Sequence, residues 1–174
     1  MVVMIEFAMF FMEDADLLSE VLHKQVFCRY RKTKYEKSKN ISIVRSKYGK
    51  PQLLIDGKKC GMEFNISHTK GAGVVVFSDR PIGVDVEAIK KGNLGIAKRF
   101  FLPKEIAYIW GADDEQICND RFYEIWVKKE AFLKCRGIGL HGGLKSVNVL
   151  DEQYVYGILE AEMERYAVAI YTDL

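Results

Sequence analysis

The reading of this chain turns on Pro81-Ile82-Gly83-Val84-Asp85-Val86-Glu87. Ile82, Val84 and Val86 alternate with Gly83, Asp85 and Glu87, a period of two that predicts a short strand with one apolar face. Asp85 and Glu87 stand at i and i+2, so their side chains point the same way and two negative charges lie side by side. Carboxylates that close repel, unless a cation sits between them or one is protonated. A hard divalent cation such as Mg2+ fits, because it takes one or two carboxylates together with waters and phosphate oxygens. Gly83, on the same face, leaves room for a ligand or a neighbouring backbone. An ordinary amphipathic edge strand with its acids in water has the same pattern, so this stretch needs the rest of the chain to decide it.

The chain has 174 residues, enough for one domain or two small lobes around a real core. Hydrophobic residues make up 49% and charged residues 29%, the balance of a soluble folded protein rather than a disordered one. A net charge of +2 argues against a general affinity for nucleic acid. Cys28, Cys60, Cys118 and Cys135 show no CxxC or other ligand spacing, and scattered thiols of this kind suit a reducing cytoplasm. The opening Met1-Val2-Val3-Met4-Ile5-Glu6-Phe7 lacks a basic n-region, and Glu6 and Glu13 break its apolar run. Neither a signal peptide nor a membrane span is predicted there.

Residues 2–11 read as a buried strand and residues 12–35 as a helix. Asp14 and Asp16 fall in the first turn of that helix and Lys24, Arg29, Arg31, Lys32 and Lys34 in later turns, which suits the helix dipole. Leu18, Val21, Leu22, Val26 and Phe27 supply its apolar stripe. The basic run at residues 29–39 reads as a solvated helix end and loop, with a nucleic-acid patch as the rival reading. Residues 41–46 predict a strand, Tyr48-Gly49-Lys50-Pro51 a turn that holds Lys50 rigidly, and residues 52–57 a further strand and turn. Phe64 and Ile66 then alternate with Asn65 and Ser67, ending at His68. Neighbours on a strand point to opposite faces, which argues against a Ser67–His68 catalytic dyad. His68 reads instead as a phosphate donor or as a structural histidine. Residues 72–78 form an apolar strand, and Asp79-Arg80-Pro81 predicts a hairpin of residues 72–78 against 82–87.

Residues 88–95 read as a polar linker dividing two halves of similar length, each mixing helix and strand. Residues 96–101 form a helical turn, and Pro103 suits the first position of a helix reaching Trp110 with Lys104 and Glu105 in its first turn. An acidic loop over residues 111–120 leads to the strongest helix, residues 121–136, ended by Gly137 and Gly139. On a wheel of about 100° per residue, Arg121, Glu124 and Lys128 form the solvent stripe. Glu130 falls nearly opposite, among Tyr123, Trp126, Val127 and Leu133, with Lys134 one turn on. A carboxylate and an ammonium among aromatics call for a ligand or metal partner. Residues 144–150, 154–161 and 166–172 predict a three-stranded meander, with Val147, Val149, Val155, Ile158, Ala167, Ala169 and Tyr171 pointing inward.

Asp85, Glu87, Glu130, Lys134, Lys50 and His68 are the parts of a Mg2+–phosphate site. Tyr-Gly-Lys-Pro, Phe-Asn-Ile-Ser-His, Ile-Gly-Val-Asp-Val-Glu, Ala-Lys-Arg-Phe-Phe with Glu105, and Trp-Val-Lys-Lys-Glu-Ala-Phe-Leu-Lys with Gly-Ile-Gly-Leu occur in that order. The chain thereby resembles the 4′-phosphopantetheinyl transferase superfamily, in its longer, pseudo-dimeric type that modifies secondary-metabolic carrier proteins. Five motifs in order, spanning residues 48–140, make the likeness specific.

The resemblance implies an α+β fold of two similar lobes, residues 1–92 and 93–174, related by a pseudo-two-fold axis. Each lobe would be a small antiparallel sheet packed on helix, with the active site in the cleft between them. It implies transfer of 4′-phosphopantetheine from coenzyme A to a serine of an apo acyl or peptidyl carrier protein, with 3′,5′-ADP leaving. Asp85, Glu87 and Glu130 match the metal ligands of the family. Glu105 matches a carboxylate proposed as general base, and Lys134 the lysine at the leaving phosphate. Lys50 and His68 match phosphate contacts, and Gly49, Pro51, Thr69 and Lys70 lie in the same coenzyme-binding turns. Lys90, Lys91, Lys98, Arg99, Lys104 and Lys129 are candidates to meet an acidic carrier helix. Two pseudo-equivalent lobes imply a monomer, with no nucleic acid or membrane as partner. The departure is at the N-terminus, where the chain before the first helix has no Lys or Arg to hold the 3′-phosphate of coenzyme A. His23, Lys24 and Arg29 are the candidates to substitute. The rival from another class is a coenzyme-A-binding or carrier-docking module without turnover.

Overall fold

A strand with Val and Ile on one side and acids on the other needs cover for its apolar side, and here both sides are covered. The computed structural model describes residues 4–31, 40–139 and 143–173. In chain order the elements are β1 (Ile5–Phe11), α1 (Ala15–Arg31), β2 (Ile41–Arg45), β3 (Pro51–Ile55), β4 (Lys58–Lys59), β5 (Glu63–Thr69), β6 (Ala72–Ser78) and β7 (Ile82–Ala88). There follow α2 (Leu94–Phe100), α3 (Pro103–Trp110), α4 (Glu115–Arg136), β8 (Val155–Ala161) and β9 (Glu164–Thr172). The fold is α+β, with small antiparallel sheets ordered β1-β6-β5, β2-β3-β4 and β7-β9-β8 packed on helices.

Helix α1 lays Leu18, Leu22 and Val26 on Phe64, Val75 and Phe77 of the first sheet. The other face of β6, Val74 and Val76, meets Ile82, Val84 and Val86 of β7. Gly83, Asp85 and Glu87 therefore turn to the opposite side, where α4 packs Val127, Ala131 and Cys135 on Ala167, Ala169 and Tyr171 of β9. A Cβ on Gly83 would lie 2.0 Å from the Ala131 carbonyl oxygen and 2.3 Å from the Cys135 nitrogen. The room that Gly83 leaves is thus filled by the backbone of α4, which brings Glu130 and Lys134 over the acids of β7.

The predicted hairpin of residues 72–78 and 82–87 does not form. Both edges of β6 are taken, by β1 and β5, so Asp79-Arg80-Pro81 carries the chain into another sheet, where β7 pairs with β9 and Asp85 lies opposite Ala169. The second edge of β7 runs beside β5 without a ladder. Asn65 Oδ1 accepts from Val84 N at 3.3 Å, and Ser67 Oγ accepts from Val86 N at 3.4 Å. Polar side chains replace the missing strand bonds, and this places Ser67 and Thr69 against Asp85 and Glu87.

Other expectations shift for local reasons. The first strand is an edge strand with Phe7 and Phe11 exposed, not a buried one. Helix α1 starts at Ala15, after Asp14 Oδ1 accepts from the backbone of Asp16 and Leu17. Its predicted end at Tyr35, and most of the basic run at residues 29–39, fall outside the described residues. Helix α4 begins at Glu115 rather than Arg121, because Asp114 caps it by accepting from Ile117 N at 2.9 Å. Pro103 opens α3 and Gly137, at φ 65°, ends α4, both as predicted. The predicted solvent stripe of α4 is half-buried. Arg121 stacks on Tyr108, Glu124 accepts from the Tyr108 hydroxyl, and Lys128 lies over the rings of Tyr154 and Tyr156.

No strand forms at residues 144–150. Leu144–Ser146 is a single 3-10 turn, and the backbone groups of Leu144, Val147 and Val149 bond to side chains of α3 and α4 instead of to a sheet. Val147 and Val149 are buried all the same, as are Ala167, Ala169 and Tyr171, whereas Val155 on the edge strand β8 is exposed. Among the described residues, no helix is long and apolar enough to cross a membrane.

Candidate active site

The site begins with Ser67 on β5, Asp85 on β7 and Lys134 on α4. Lys134 Nζ lies 2.6 Å from Asp85 Oδ1 and donates to Ser67 Oγ at 2.9 Å, while the Ser67 hydroxyl donates to the same Asp85 oxygen at 2.8 Å. One step along the same strands, Thr69 Oγ1 donates to Glu87 Oε2 at 3.2 Å. Asp85 is buried, yet its Oδ2 has no hydrogen-bond partner. An orphaned buried carboxylate oxygen is costly unless a ligand completes it.

Three acids share this region, and their charges act on one another. Burial pushes the Glu130 carboxyl up to about 7, with the charges of Asp85 and Glu87 adding to the rise and Lys134 opposing it. Burial, then the charge of Asp85, raises Glu87. Such a set is short of positive charge, and its donors are hard oxygens, which is the chemistry a magnesium ion takes. As placed, no three His, Cys, Asp or Glu side chains among the described residues converge to hold a metal, and Lys134 lies on Asp85 Oδ1. The residues present fit a divalent cation by donor type, by charge and by the orphaned Asp85 oxygen.

Beside this group lies a cleft of about 410 Å3. Ser67, His68, Glu130 and Lys134 line it, as do Gly49, Lys50 and Pro51 of the β2–β3 turn. Lys50 Nζ donates to the Cys135 carbonyl at 2.7 Å and lies 3.6 Å from Glu63 Oε2. It ties the turn to the carbonyl-rich end of α4, where a cation is favoured. His68 is exposed on the cleft wall, Thr69 sits on Glu87, and Lys70 is exposed without lining the cleft.

Glu105 stands apart. It is fully buried, 2.9 Å from the equally buried Lys129. Lys129 therefore has no surface to offer a partner, contrary to its expected place among surface lysines. Sequence reasoning also passed over Ser19 and Arg45, which line the cleft together with His23. The signal for Arg45 was its position just ahead of the Tyr48-Gly49-Lys50-Pro51 turn. Arg45 Nη1 donates to the Gly49 carbonyl at 3.3 Å, and His23 Nδ1 to the Ser19 carbonyl at 2.8 Å.

The α+β fold brings a helix bearing Glu130 and Lys134 and a lysine-bearing turn to one cleft, with the acidic strand β7 behind Lys134, a set of hard oxygens and cations of the kind that suits a metal-bound phosphate. Residues 81–170 match the model of the 4′-phosphopantetheinyl transferase superfamily, and the chain belongs to that family. It is 39% identical over 143 residues to the 4′-phosphopantetheinyl transferase Sfp of Bacillus subtilis (strain 168), which covers 79% of this chain and 59% of that protein. It is 31% identical over 137 residues to the 4′-phosphopantetheinyl transferase gsp of Aneurinibacillus migulanus, covering 77% of this chain and 54% of the relative. A putative 4′-phosphopantetheinyl transferase of Synechocystis is 37% identical over 114 residues, 62% of this chain and 46% of the relative. The chain thus spans about half the length of the curated relatives it matches.

Proposed function

We propose that this chain transfers 4′-phosphopantetheine from coenzyme A to a serine of an apo carrier protein, with Mg2+. The observation that carries this reading is the orphaned Oδ2 of Asp85, buried behind Lys134, which with Glu130 lines an open cleft. Residues 1–92 and 93–174 are the proposed lobes, related by a pseudo-two-fold axis. The strand β7 lies before that division in number but pairs with β9, so the two lobes share a sheet. Both sides of the cleft come from one chain, which supports a monomer. The free thiols Cys28, Cys60, Cys118 and Cys135 support a cytoplasmic setting.

Asp85, Glu87 and Glu130 would hold the magnesium ion, which when bound neutralises charge on the pyrophosphate and on the group that leaves. Gly49, Lys50 and Pro51 present the turn on which the nucleotide end lies, and His68 donates to a phosphate from the cleft wall. Thr69 orients Glu87 through its hydroxyl, and Lys70 extends the same turn. Lys134 is 31% exposed, so its ammonium reaches both Asp85 and a ligand in the cleft. The serine oxygen of the carrier bonds to the β-phosphorus as the bond to the bridging oxygen breaks, and the serine hydroxyl gives its proton to water in the open cleft. Lys134 offsets the charge on the 3′,5′-ADP that departs. In such transfers the protein chiefly positions groups and balances charge.

Intact mass of a panel of apo carriers, incubated with the folded chain, coenzyme A and Mg2+, tests the reading. A phosphopantetheine gain on at least one carrier supports it. Tight coenzyme A binding with no gain on any carrier favours a binding module without turnover.

A further inference from the structure

Glu105 and Lys129 form the most enclosed ionic group among the described residues, each with no exposed side-chain surface. Lys129 Nζ reaches three oxygens: Glu105 Oε1 at 2.9 Å, the Leu144 carbonyl at 2.6 Å and the Val147 carbonyl at 2.8 Å. An ammonium has three protons, so its donor capacity is filled. Glu105 Oε1 also accepts from Val149 N at 3.1 Å, and Oε2 accepts from Leu102 N at 2.7 Å. Both oxygens are engaged. A general base must come within hydrogen-bond reach of the proton it takes. A carboxylate sealed at 0% exposure behind an ammonium and two backbone donors does not meet a carrier serine.

What the pair does reach is α4. Lys129 directly precedes Glu130 and lies five residues before Lys134. Its three bonds fix the rotation of α4 against α3 and against residues 144–149, which have no sheet of their own to hold them. With a helix radius of about 5–6 Å including side chains, a turn of about 20° moves the Glu130 carboxylate by about 2 Å. Misplacement by about 1 Å at a reacting site lowers rates by about a hundredfold.

We infer that Glu105 and Lys129 are positioning residues, a buried clamp that sets the rotation of α4 so that Glu130 and Lys134 face the cleft. The inference rests on the proposed transfer reaction, and it removes Glu105 from the role of proton acceptor. The buried ion pair earns its place by aiming the helix, since neither charge is available to a substrate.

The test uses the full 174-residue chain with Lys129→Met, Glu105→Gln and the double variant Glu105→Gln/Lys129→Met. Transfer kinetics are read as kcat and KM for coenzyme A, together with the pH profile of kcat. Lys129→Met strands the Glu105 charge, so kcat falls by about a hundredfold, more than KM rises. The double variant recovers at least about fivefold over Lys129→Met, because neutralising Glu105 removes the stranded charge. Glu105→Gln keeps the acid limb of the wild-type pH profile. Loss of that limb in Glu105→Gln, or a double variant no better than Lys129→Met, overturns the clamp. Should Lys129→Met fail to fold, Lys129→Arg keeps the charge but not the geometry of the three bonds. It should remain folded with lowered kcat, and wild-type kcat in that variant also overturns the clamp. If the wild-type chain transfers nothing, the function reading fails by itself, and coenzyme A binding by calorimetry carries the test. Weakening by threefold or more in the lysine variant then supports the clamp, and unchanged affinity overturns it.

Discussion

Gly83→Ala probes the contact on which the site depends. The added Cβ would sit 2.0 Å from the Ala131 carbonyl oxygen, 2.3 Å from the Cys135 nitrogen and 3.0 Å from the Cys135 Cα. Ordinary contact begins at 3.4 Å, so at this point helix and strand must separate by 3.4 − 2.0 = 1.4 Å. Both closest atoms are helix backbone, and no flexible side chain is there to swing aside. Overpacking a core costs about 1–3 kcal/mol and occasionally more, and a backbone-on-backbone clash belongs at the upper end, about 3 kcal/mol. For a domain of this size that is a fall of about 6–12 °C in Tm. Ala131 and Cys135 bracket Lys134 and follow Glu130, so coenzyme A affinity should weaken along with stability. Thermal unfolding by circular dichroism and calorimetric titration with coenzyme A measure the two effects. A Gly83→Ala protein with Tm within about 2 °C of wild type and unchanged affinity would refute the argument that α4 is pressed onto β7.

Three further predictions concern the charges. Burial and the charge of Asp85 raise Glu130 from 4.5 to about 7, so the folded protein keeps a proton that the unfolded chain releases. The associated stability is present below pH 4.5 and is lost as pH rises to about 7, a loss of roughly 3 kcal/mol at most. Urea unfolding without divalent cations should show wild type losing stability relative to Glu130→Gln over that range, and a constant gap between the two would count against the raised carboxyl. Asp85→Asn should lower transfer by about a thousandfold or more, because it removes a charge worth several kcal/mol at the phosphate, while urea unfolding stays cooperative; turnover near wild type at ordinary Mg2+ would remove Asp85 from the metal site. Lys134→Ala should lower kcat more than it weakens coenzyme A binding, and the reverse split, read from steady-state kinetics and calorimetry, would make Lys134 a binding residue alone.

Much of the site was legible because it rests on local periodicity. The alternation at residues 82–87 placed Asp85 and Glu87 on one face, and the helical wheel placed Glu130 and Lys134 together on one face of α4, although that face borders the open cleft and Lys134 is more exposed than Lys128 of the predicted solvent stripe. Both placements need only the direction of side chains along one element. What escaped the sequence depends on partners far along the chain. The failed hairpin is decided by β1, which takes the edge of β6 that β7 was expected to fill. Val147 and Val149 alternate like a strand, but their backbone is satisfied by Glu105 and Lys129, and no local pattern reveals that. Lys129 itself looked like a surface lysine because its three acceptors lie on α3 and on residues 144–149. The stripe of Arg121, Glu124 and Lys128 looked wet because Tyr108, Tyr154 and Tyr156, which cover it, come from other elements.

The central claim is that Asp85, Glu87 and Glu130 hold a magnesium ion on the pyrophosphate of coenzyme A while a carrier serine takes the phosphopantetheine group. The most direct measurement is intact mass of an apo carrier after incubation with the chain, coenzyme A and graded Mg2+, with the modified residue located by fragmentation. The account predicts a phosphopantetheine gain on serine that needs coenzyme A and Mg2+ together and disappears with excess chelator. Equal gain in the presence of chelator, or no gain on any carrier from a folded chain that binds coenzyme A, would contradict it.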